Sequence, residues 1–276
     1  MRLRVLVDNN TYIDKYFYGE PGLSYLIEEG SNKILFDLGY SDIFILNAEK
    51  MGVDISEADT IVFSHGHSDH TWGMEYLIRH CMKAKGHNSK PKRIVAHPQA
   101  FDKKTYNGEL IGSKISVEKL AESFELILSS QPVWLTEKLL FLGEIPRENT
   151  FENKKPIGKT VLNGCETDDY LFDDTALVFR AEEGLVVITA CSHSGICNIV
   201  EYAKKVCDED RILDIIGGFH LLEPTEEQMK GTLDYFRTLK LRYLYACHCT
   251  DLDSKIQLSK VAKLMEVGVG LKLEYK

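Results

Sequence analysis

Two runs of short strands, each followed by helices, predict an α/β chain built as a four-layer αββα sandwich. Pattern alone leaves an ordinary doubly wound sheet as the alternative. Three observations carry the reading: strands alternate with helices in the first third, the alternation returns in the last third, and the middle is irregular. In the first third, residues 2–7, 23–28 and 33–37 are β-rich and bounded by Asn, Pro and Gly. Residues 41–51 space Ile, Leu and Met as a helix does, and Gly52 is a plausible stop. The DTIVFS segment at 59–64 reads as a strand, a histidine-rich segment follows, and a helix over 73–80 precedes a strand over 93–96. In the last third, strands are expected over 176–180 and 185–190, joined by the turn Glu182-Glu183-Gly184. A helix over 195–206, a strand over 212–216 and a helix over 224–239 come next. A strand over 242–247, a helix over 254–266 and a strand over 269–275 complete the pattern. The middle, about 98–173, carries Pro132, Pro146, Pro156 and a polar stretch over 147–159. It reads as an insertion that covers the active site within a single domain, 1–276, because no linker flanks it.

At 276 residues the chain can bury a substantial core, and 44% hydrophobic with 27% charged residues is ordinary for a globular enzyme. A net charge of -9 offers no general attraction to phosphate backbones, so nucleic acid is not expected as a partner. A local basic pocket for one phosphate remains compatible with that charge. The first residues run straight into a strand without a secretory h-region, and apolar runs such as 185–190 are too short to span a bilayer. Seven cysteines, an odd number at irregular spacings, argue against a disulfide framework. These features lead us to expect a cytoplasmic protein with a small-molecule substrate, no membrane association, and homo-oligomerisation left open.

The chemistry-bearing segment is Ser64-His65-Gly66-His67-Ser68-Asp69-His70. In extended backbone, His65 and His67 point the same way; as the chain turns into a helix, Asp69 and His70 are aimed at a neighbouring point. Two imidazoles then serve one metal, while a carboxylate and an imidazole serve another. Such donors suit Zn²⁺, Fe and Mn²⁺ alike. Further ligands are sought among the remaining histidines. His193, His220 and His248 each follow a predicted strand, with His248 and His193 ranked ahead of His220 as ligands. His97, at another strand end, is expected to be structural or to contact substrate. His80 and His87, near the basic stretch 83–92, read as solvated. Cys191, Cys247 and Cys249 sit beside candidate ligands and could bind as thiolates, although buried packing is the favoured account. Asp173 and Asp174 are either turn residues or a ligand or orienting carboxylate. Arg147 is a candidate anion clamp from the insertion, or simply the partner of a nearby Glu. No phosphate loop, dinucleotide fingerprint or G-x-S-x-G elbow occurs.

These residues resemble the metallo-β-lactamase superfamily, whose H-x-H-x-D-H motif is matched by His65, His67, Asp69 and His70. The likeness extends to Val5-Leu6-Val7-Asp8-Asn9, Gly22-Leu23-Ser24, Ile34-Leu35-Phe36-Asp37-Leu38-Gly39 and Asp174-Thr175-Ala176-Leu177. It also takes in CSHSG at 191–195, GGFHL at 217–221 and CHCT at 247–250, and so covers nearly the whole chain. This branch of metal-dependent hydrolases includes an archaeal enzyme of methanopterin biosynthesis that behaves like a dihydropteroate synthase. That enzyme joins a dihydropterin pyrophosphate to a ribofuranosyl-aminobenzene phosphate. The resemblance implies the αββα fold and two divalent transition-metal ions, Zn first, with Fe, Mn and Ni as alternatives. It puts His65 and His67 on the first metal, Asp69 and His70 on the second, and His248 on the second as its last ligand.

The chain also departs from the family pattern. No histidine occurs near 171–174, where one is usual, so His193 is expected to stand in as the first metal's third ligand. The bridging position falls to Asp174, Cys191 or His220. Asp251 stands where this branch would have Gly. The expected function is metal-assisted displacement on a small anionic substrate, phosphorylated or pterin-like, with Asp69 both ligating and orienting water. The same centre could instead hold a pyrophosphate leaving group in a transferase. Rival readings are a phosphodiesterase- or lactonase-type hydrolase, or a binding protein that keeps the metals with little turnover.

Overall fold

The apolar runs of the sequence become inner strands, and their alternation decides which side chains meet the helices. The structure, a computed structural model, describes residues 1–83, 92–152, 155–162 and 164–276, so His87 lies outside the described residues. The early strands are β1 (Arg2–Val7), β2 (Ser24–Glu29), β3 (Asn32–Phe36), β4 (Thr60–Val62) and β5 (Arg93–Ala96). Short strands follow: β6 (Lys104–Tyr106), β7 (Glu109–Leu110), β8 (Glu125–Leu128), β9 (Val133–Trp134) and β10 (Leu139–Phe141). Next come β11 (Lys159–Leu162), β12 (Cys165–Asp168), β13 (Leu177–Ala181) and β14 (Gly184–Ile188). The last three are β15 (Ile212–Gly218), β16 (Tyr243–Cys247) and β17 (Lys272–Glu274). The helices are α1 (Ile43–Lys50), α2 (Ser68–Thr71), α3 (Met74–Lys83), α4 (Val117–Ala121), α5 (Ile196–Cys207), α6 (Glu226–Thr238) and α7 (Leu252–Leu258).

By its contacts the chain divides into two compact units. One comprises Met1–Ser129, Ile157–Asp169 and Gly268–Tyr275; the other comprises Ser130–Pro156, Tyr170–Val267 and Lys276. The first holds a sheet ordered β17-β1-β2-β3-β4-β5-β8. Its β1, β2 and β3 form an antiparallel meander, whereas β3, β4, β5 and β8 run parallel. Parallel neighbours cannot be joined by a tight turn, so helices carry the chain back each time. Leu35, Ile61 and Ile94 of this sheet pack in one core with Phe44 and Ala48 of α1, Leu77 of α3 and Leu120 of α4.

The second unit repeats the plan in the order β16-β15-β14-β13-β10-β9, with β14, β15 and β16 parallel. Leu185, Val187, Ile215 and Leu244 pack with Ile199, Val200 and Ala203 of α5, Met229 and Phe236 of α6, and Leu258 of α7. Each unit is thus built on one large sheet with its helices.

The stretch 98–173 is distributed among three sheets. Strand β8 extends the first sheet and β9 with β10 extends the second, while β12-β11-β6-β7 forms a small sheet of its own. The helix expected over 254–266 ends at Leu258. Backbone pairing supplies the reason: Leu244 N–H donates to Lys263 O at 3.0 Å, and Met265 N–H donates to Leu244 O at 2.8 Å. Residues 263–265 therefore satisfy backbone groups on the outer edge of β16, which a continued helix could not do. The final strand is likewise shorter than expected, Lys272–Glu274 within 269–275.

Helix α5 begins at Gly195, which has no side chain with which to cap the helix N-terminus. Glu152, buried, does so from a distance: its carboxylate accepts the backbone N–H groups of Cys197 (2.9 Å) and Asn198 (3.0 Å) and the Asn149 side-chain amide (2.5 Å). A negative charge at a helix N-terminus satisfies orphan donors and complements the helix dipole. Burial nevertheless raises the Glu152 pKa, against the lowering effect of those hydrogen bonds. Replacing Glu152 with Ala should destabilise the protein by about 2–3 kcal/mol. Chemical denaturation of wild type and Glu152→Ala measures this, and an unchanged midpoint would contradict the capping role.

Candidate metal centre

Strand β4 delivers the chain to Ser64-His65-Gly66-His67 at its C-terminal end, and α2 starts with His67 as its N-cap in extended conformation. Gly66 is required by close approach, since a Cβ there would lie 2.2 Å from Ala100 O. His65 and His70 are fully buried and His67 nearly so, whereas the Asp69 side chain is 29% exposed. The His65 ring centroid is 4.7 Å from that of His67 and 4.3 Å from that of His70, so three imidazoles share one point.

Asp37, just after β3, organises this cluster. Its Oδ1 accepts Ser64 N–H (2.8 Å), and its Oδ2 accepts both Ser64 Oγ–H (2.6 Å) and His70 Nδ1–H (2.7 Å). With its proton given to Asp37, Ser64 Oγ can only accept, and His65 Nδ1 donates to it at 2.9 Å. Both imidazoles, when neutral, then carry their lone pair on Nε2, the arrangement that prepares a histidine to bind metal. Burial opposes charge on His70, but the carboxylates of Asp69 and Asp37 outweigh it and push its pKa up to about 10.

The second unit assembles its own cluster where β14, β15 and β16 end. Ser192, His220 and His248 all adopt left-handed backbone, with φ of 58°, 47° and 49°. Such conformations are costly away from glycine and concentrate at functional sites. The rings of His193 and His220 lie 4.3 Å apart. Ligand atoms of Cys191, His248 and Cys249 lie within 4.8 Å of one another, and all three residues are buried. The His220 N–H donates to Cys249 Sγ at 3.2 Å. Burial opposes ionisation of Cys249, yet hydrogen bonding to Cys191 and the imidazoles of His248 and His220 draw its pKa well below the ordinary thiol value.

Asp174 serves the CSHSG loop. Its Oδ2 accepts Ser194 N–H at 2.8 Å and Ser194 Oγ–H at 2.5 Å. Burial pushes its pKa up to about 6 against the lowering effect of Ser194, the His193 backbone and Arg147. Arg147 itself donates to Leu171 O (2.7 Å) and lies over the Phe172 ring at 4.7 Å. Its guanidinium thereby braces the chain before Asp174. His97 accepts Gln99 N–H at 3.2 Å on Nδ1 and caps a 3₁₀ turn. The first unit brings together His65, His67, Asp69 and His70, and the second brings together Cys191, His193, His220, His248 and Cys249.

Sequence reasoning missed the roles of Asp37 and Ser64. A signal was present: Asp37 directly follows a strand that runs parallel to the one leading into the motif, and parallel neighbours end side by side.

Comparison with known proteins adds family membership. The metallo-beta-lactamase superfamily model matches residues 18–164, more than half of the 276. An uncharacterized protein of Methanocaldococcus jannaschii is 31% identical over 269 residues, covering 97% of this chain and 98% of that protein. The 7,8-dihydropterin-6-methyl-4-(beta-D-ribofuranosyl)-aminobenzene-5'-phosphate synthase of the same organism is 30% identical over 272 residues, covering 92% and 89%. The crystal structure of a metal-dependent hydrolase of the beta-lactamase superfamily superposes with a TM-score of 0.83 at 30% identity, covering 100% of this chain and 99% of that one. The chain belongs to the metallo-β-lactamase superfamily and has its α/β fold.

Proposed function

We propose that the protein is a metal-dependent hydrolase that acts on a small anionic substrate through a binuclear centre. The observation that carries this is the Asp37–Ser64 network, which sets the Nδ1 protons of two buried histidines so that both can present Nε2. The donor set fits divalent transition metals, Zn²⁺ first, by its mix of imidazole, carboxylate and thiol. On this reading His65, His67, Asp69 and His70 of the first unit would serve as metal ligands, and His193 and His248 would do so in the second. Asp174, Cys191 and His220 are the candidates for a further ligand. A divalent ion there supplies Lewis acidity, polarising a phosphoryl or carbonyl oxygen and making water a usable nucleophile near neutral pH.

The chain's own residues do the rest. Asp69 is the carboxylate nearest to solvent, able to orient water and accept its proton. Asp37 keeps His70 in one tautomer and one rotamer. Asp174, through Ser194, fixes the loop that carries His193. Transfer of a group to a ring-bearing acceptor is a second reading, favoured by the 30% identity with the synthase. Among the described residues no helix is long and apolar enough to cross a membrane. A cytoplasmic location is part of the same proposal.

Elemental analysis of untagged protein should find about two transition-metal ions per chain. No bound metal, together with no uptake of Zn²⁺, Mn²⁺ or Fe²⁺, would sink the proposal. Asp69→Asn keeps one oxygen donor but loses the charge and the ability to take a proton. Turnover of a phosphodiester such as bis(4-nitrophenyl) phosphate should fall about 10²–10⁴-fold while metal content holds; equal rates would remove Asp69 from the chemistry. Asp37→Asn still accepts the Ser64 N–H but no longer offers His70 an anionic acceptor. Competition with a chelator should show metal affinity weakened about 10–100-fold. Wild-type affinity in that variant would mean the network positions nothing.

A further inference from the structure

The geometry points to a recognition platform for a phosphorylated planar ring, formed by Tyr40, Trp72 and Lys114 beside Asp69. This inference rests on the proposed function and names the substrate features that the same centre selects. Helical spacing provides the first argument. Asp69 lies within α2 and Trp72 is that helix's C-cap, three residues on, so the two are neighbours on one face of a single turn. The second argument is a ruler at Gly22: a Cβ there would stand 2.8 Å from Asp69 O and 3.4 Å from Tyr40 N. The backbones of Tyr40 and Asp69 thus both lie against Gly22.

The platform is assembled, not incidental. The Tyr40 and Trp72 rings are 4.7 Å apart at 34°. Both sit on anchored backbone, since Leu38 N–H donates to His70 O (2.9 Å) and Gly73 N–H donates to Gly39 O (3.1 Å). Glu20 accepts the Tyr40 and Ser41 N–H groups at 2.9 and 3.1 Å, which fixes the approach to Tyr40. The Trp72 indole N–H donates to Gly112 O at 2.8 Å, tying it to the loop that carries Lys114. Lys114 places its ammonium 3.3 Å from the centre of the Trp72 ring.

An exposed lysine ordinarily samples many rotamers; one seated on an indole face is held where a ligand can find it. Tyr40 remains 45% exposed beside it, which leaves an aromatic surface open to stack a flat ring. Ring and anion are therefore read together: the ring stacks on Tyr40, and a phosphate of the same molecule meets Lys114. In a chain of net charge -9, a fixed cation at this place is the selective element.

The test uses binding, with turnover set aside. Trp72 and Trp134 are the two tryptophans, so Trp134→Phe leaves Trp72 as the fluorescent reporter. Phenyl phosphate, inorganic phosphate and benzyl alcohol are titrated into the protein as purified and after removal of metal with EDTA. The metal-free arm separates capture by Lys114 from capture by metal ions. Lys114→Met should weaken phenyl phosphate by about fivefold or more in both forms and leave benzyl alcohol unchanged. Tyr40→Ala should weaken phenyl phosphate and benzyl alcohol but not inorganic phosphate. Metal content should stay at the wild-type level in both variants. Unchanged affinities in both variants overturn the platform even if the metals and the hydrolase activity stand. Loss of metal from either variant also overturns it, because the residue would then be holding the metal site and not the ligand. Should the protein bind no metal at all, the proposed function fails, while the metal-free titration still decides the platform.

Discussion

The buried carboxylate of Asp37 is the constraint from which the first half of the centre follows. A charge with no solvent contact survives only if hydrogen bonds replace its lost hydration. Asp37 obtains them from Ser64, through both N–H and Oγ–H, and from His70 Nδ1. Each of these bonds also has a consequence for the site. The Ser64 bonds pin the end of β4, where the motif begins, and turn the serine oxygen into an acceptor for His65. The His70 bond ties α2 back to β3. The left-handed backbone at Asp37, with φ of 56°, aims the carboxylate at this cluster, and three strong bonds offset its cost of roughly 1–2 kcal/mol.

The second unit uses the same device. Asp174, also buried, accepts N–H and Oγ–H from Ser194, the neighbour of His193, at 2.8 and 2.5 Å, much as Asp37 does from Ser64, the neighbour of His65. In each unit an aspartate clamps a serine next to a candidate metal ligand where a strand ends. The clamp fixes both backbone and side chain of the serine, so the adjacent histidine leaves it in a set direction. Placement of metal ligands to within a fraction of an ångström requires such supports. A histidine on an unsupported loop would hold metal weakly.

Legibility in the sequence followed the distance between cooperating residues. His65, His67, Asp69 and His70 lie within six positions, so their pattern is visible without a structure, and so are strands such as Arg2–Val7 and Arg93–Ala96. Asp37 lies 27 residues before Ser64, and only the parallel pairing of β3 with β4 brings them together. The resemblance drew attention to that aspartate's neighbourhood without assigning it a task. Local periodicity misled at 254–266, where Leu258 and Val261 continue a helical spacing. There the unmet backbone of the outer strand β16 competed successfully for the chain. The cysteines were hard to rank for another reason: burial alone makes a thiol inert, and it takes the hydrogen bond with Cys191 and two nearby imidazoles to reverse that at Cys249.

Charge distribution connects the centre to what it can bind. The chain as a whole repels anions, with 42 acidic against 33 basic side chains. An anionic substrate must therefore be drawn by local positive features, because the long-range field does not help and is screened within about 8 Å at physiological salt. In the first unit, two carboxylates converge on His70, and so great a concentration of negative charge in a buried pocket has to be neutralised before any anion can approach. Protons alone would do so by charging His70, which removes its lone pair and with it any use as a ligand. Divalent ions held by these residues would neutralise the same carboxylates and still carry positive charge for an anion. On the proposed function, anion affinity and metal binding would therefore be one electrostatic requirement, set by the placement of Asp37 and Asp69 around a single imidazole.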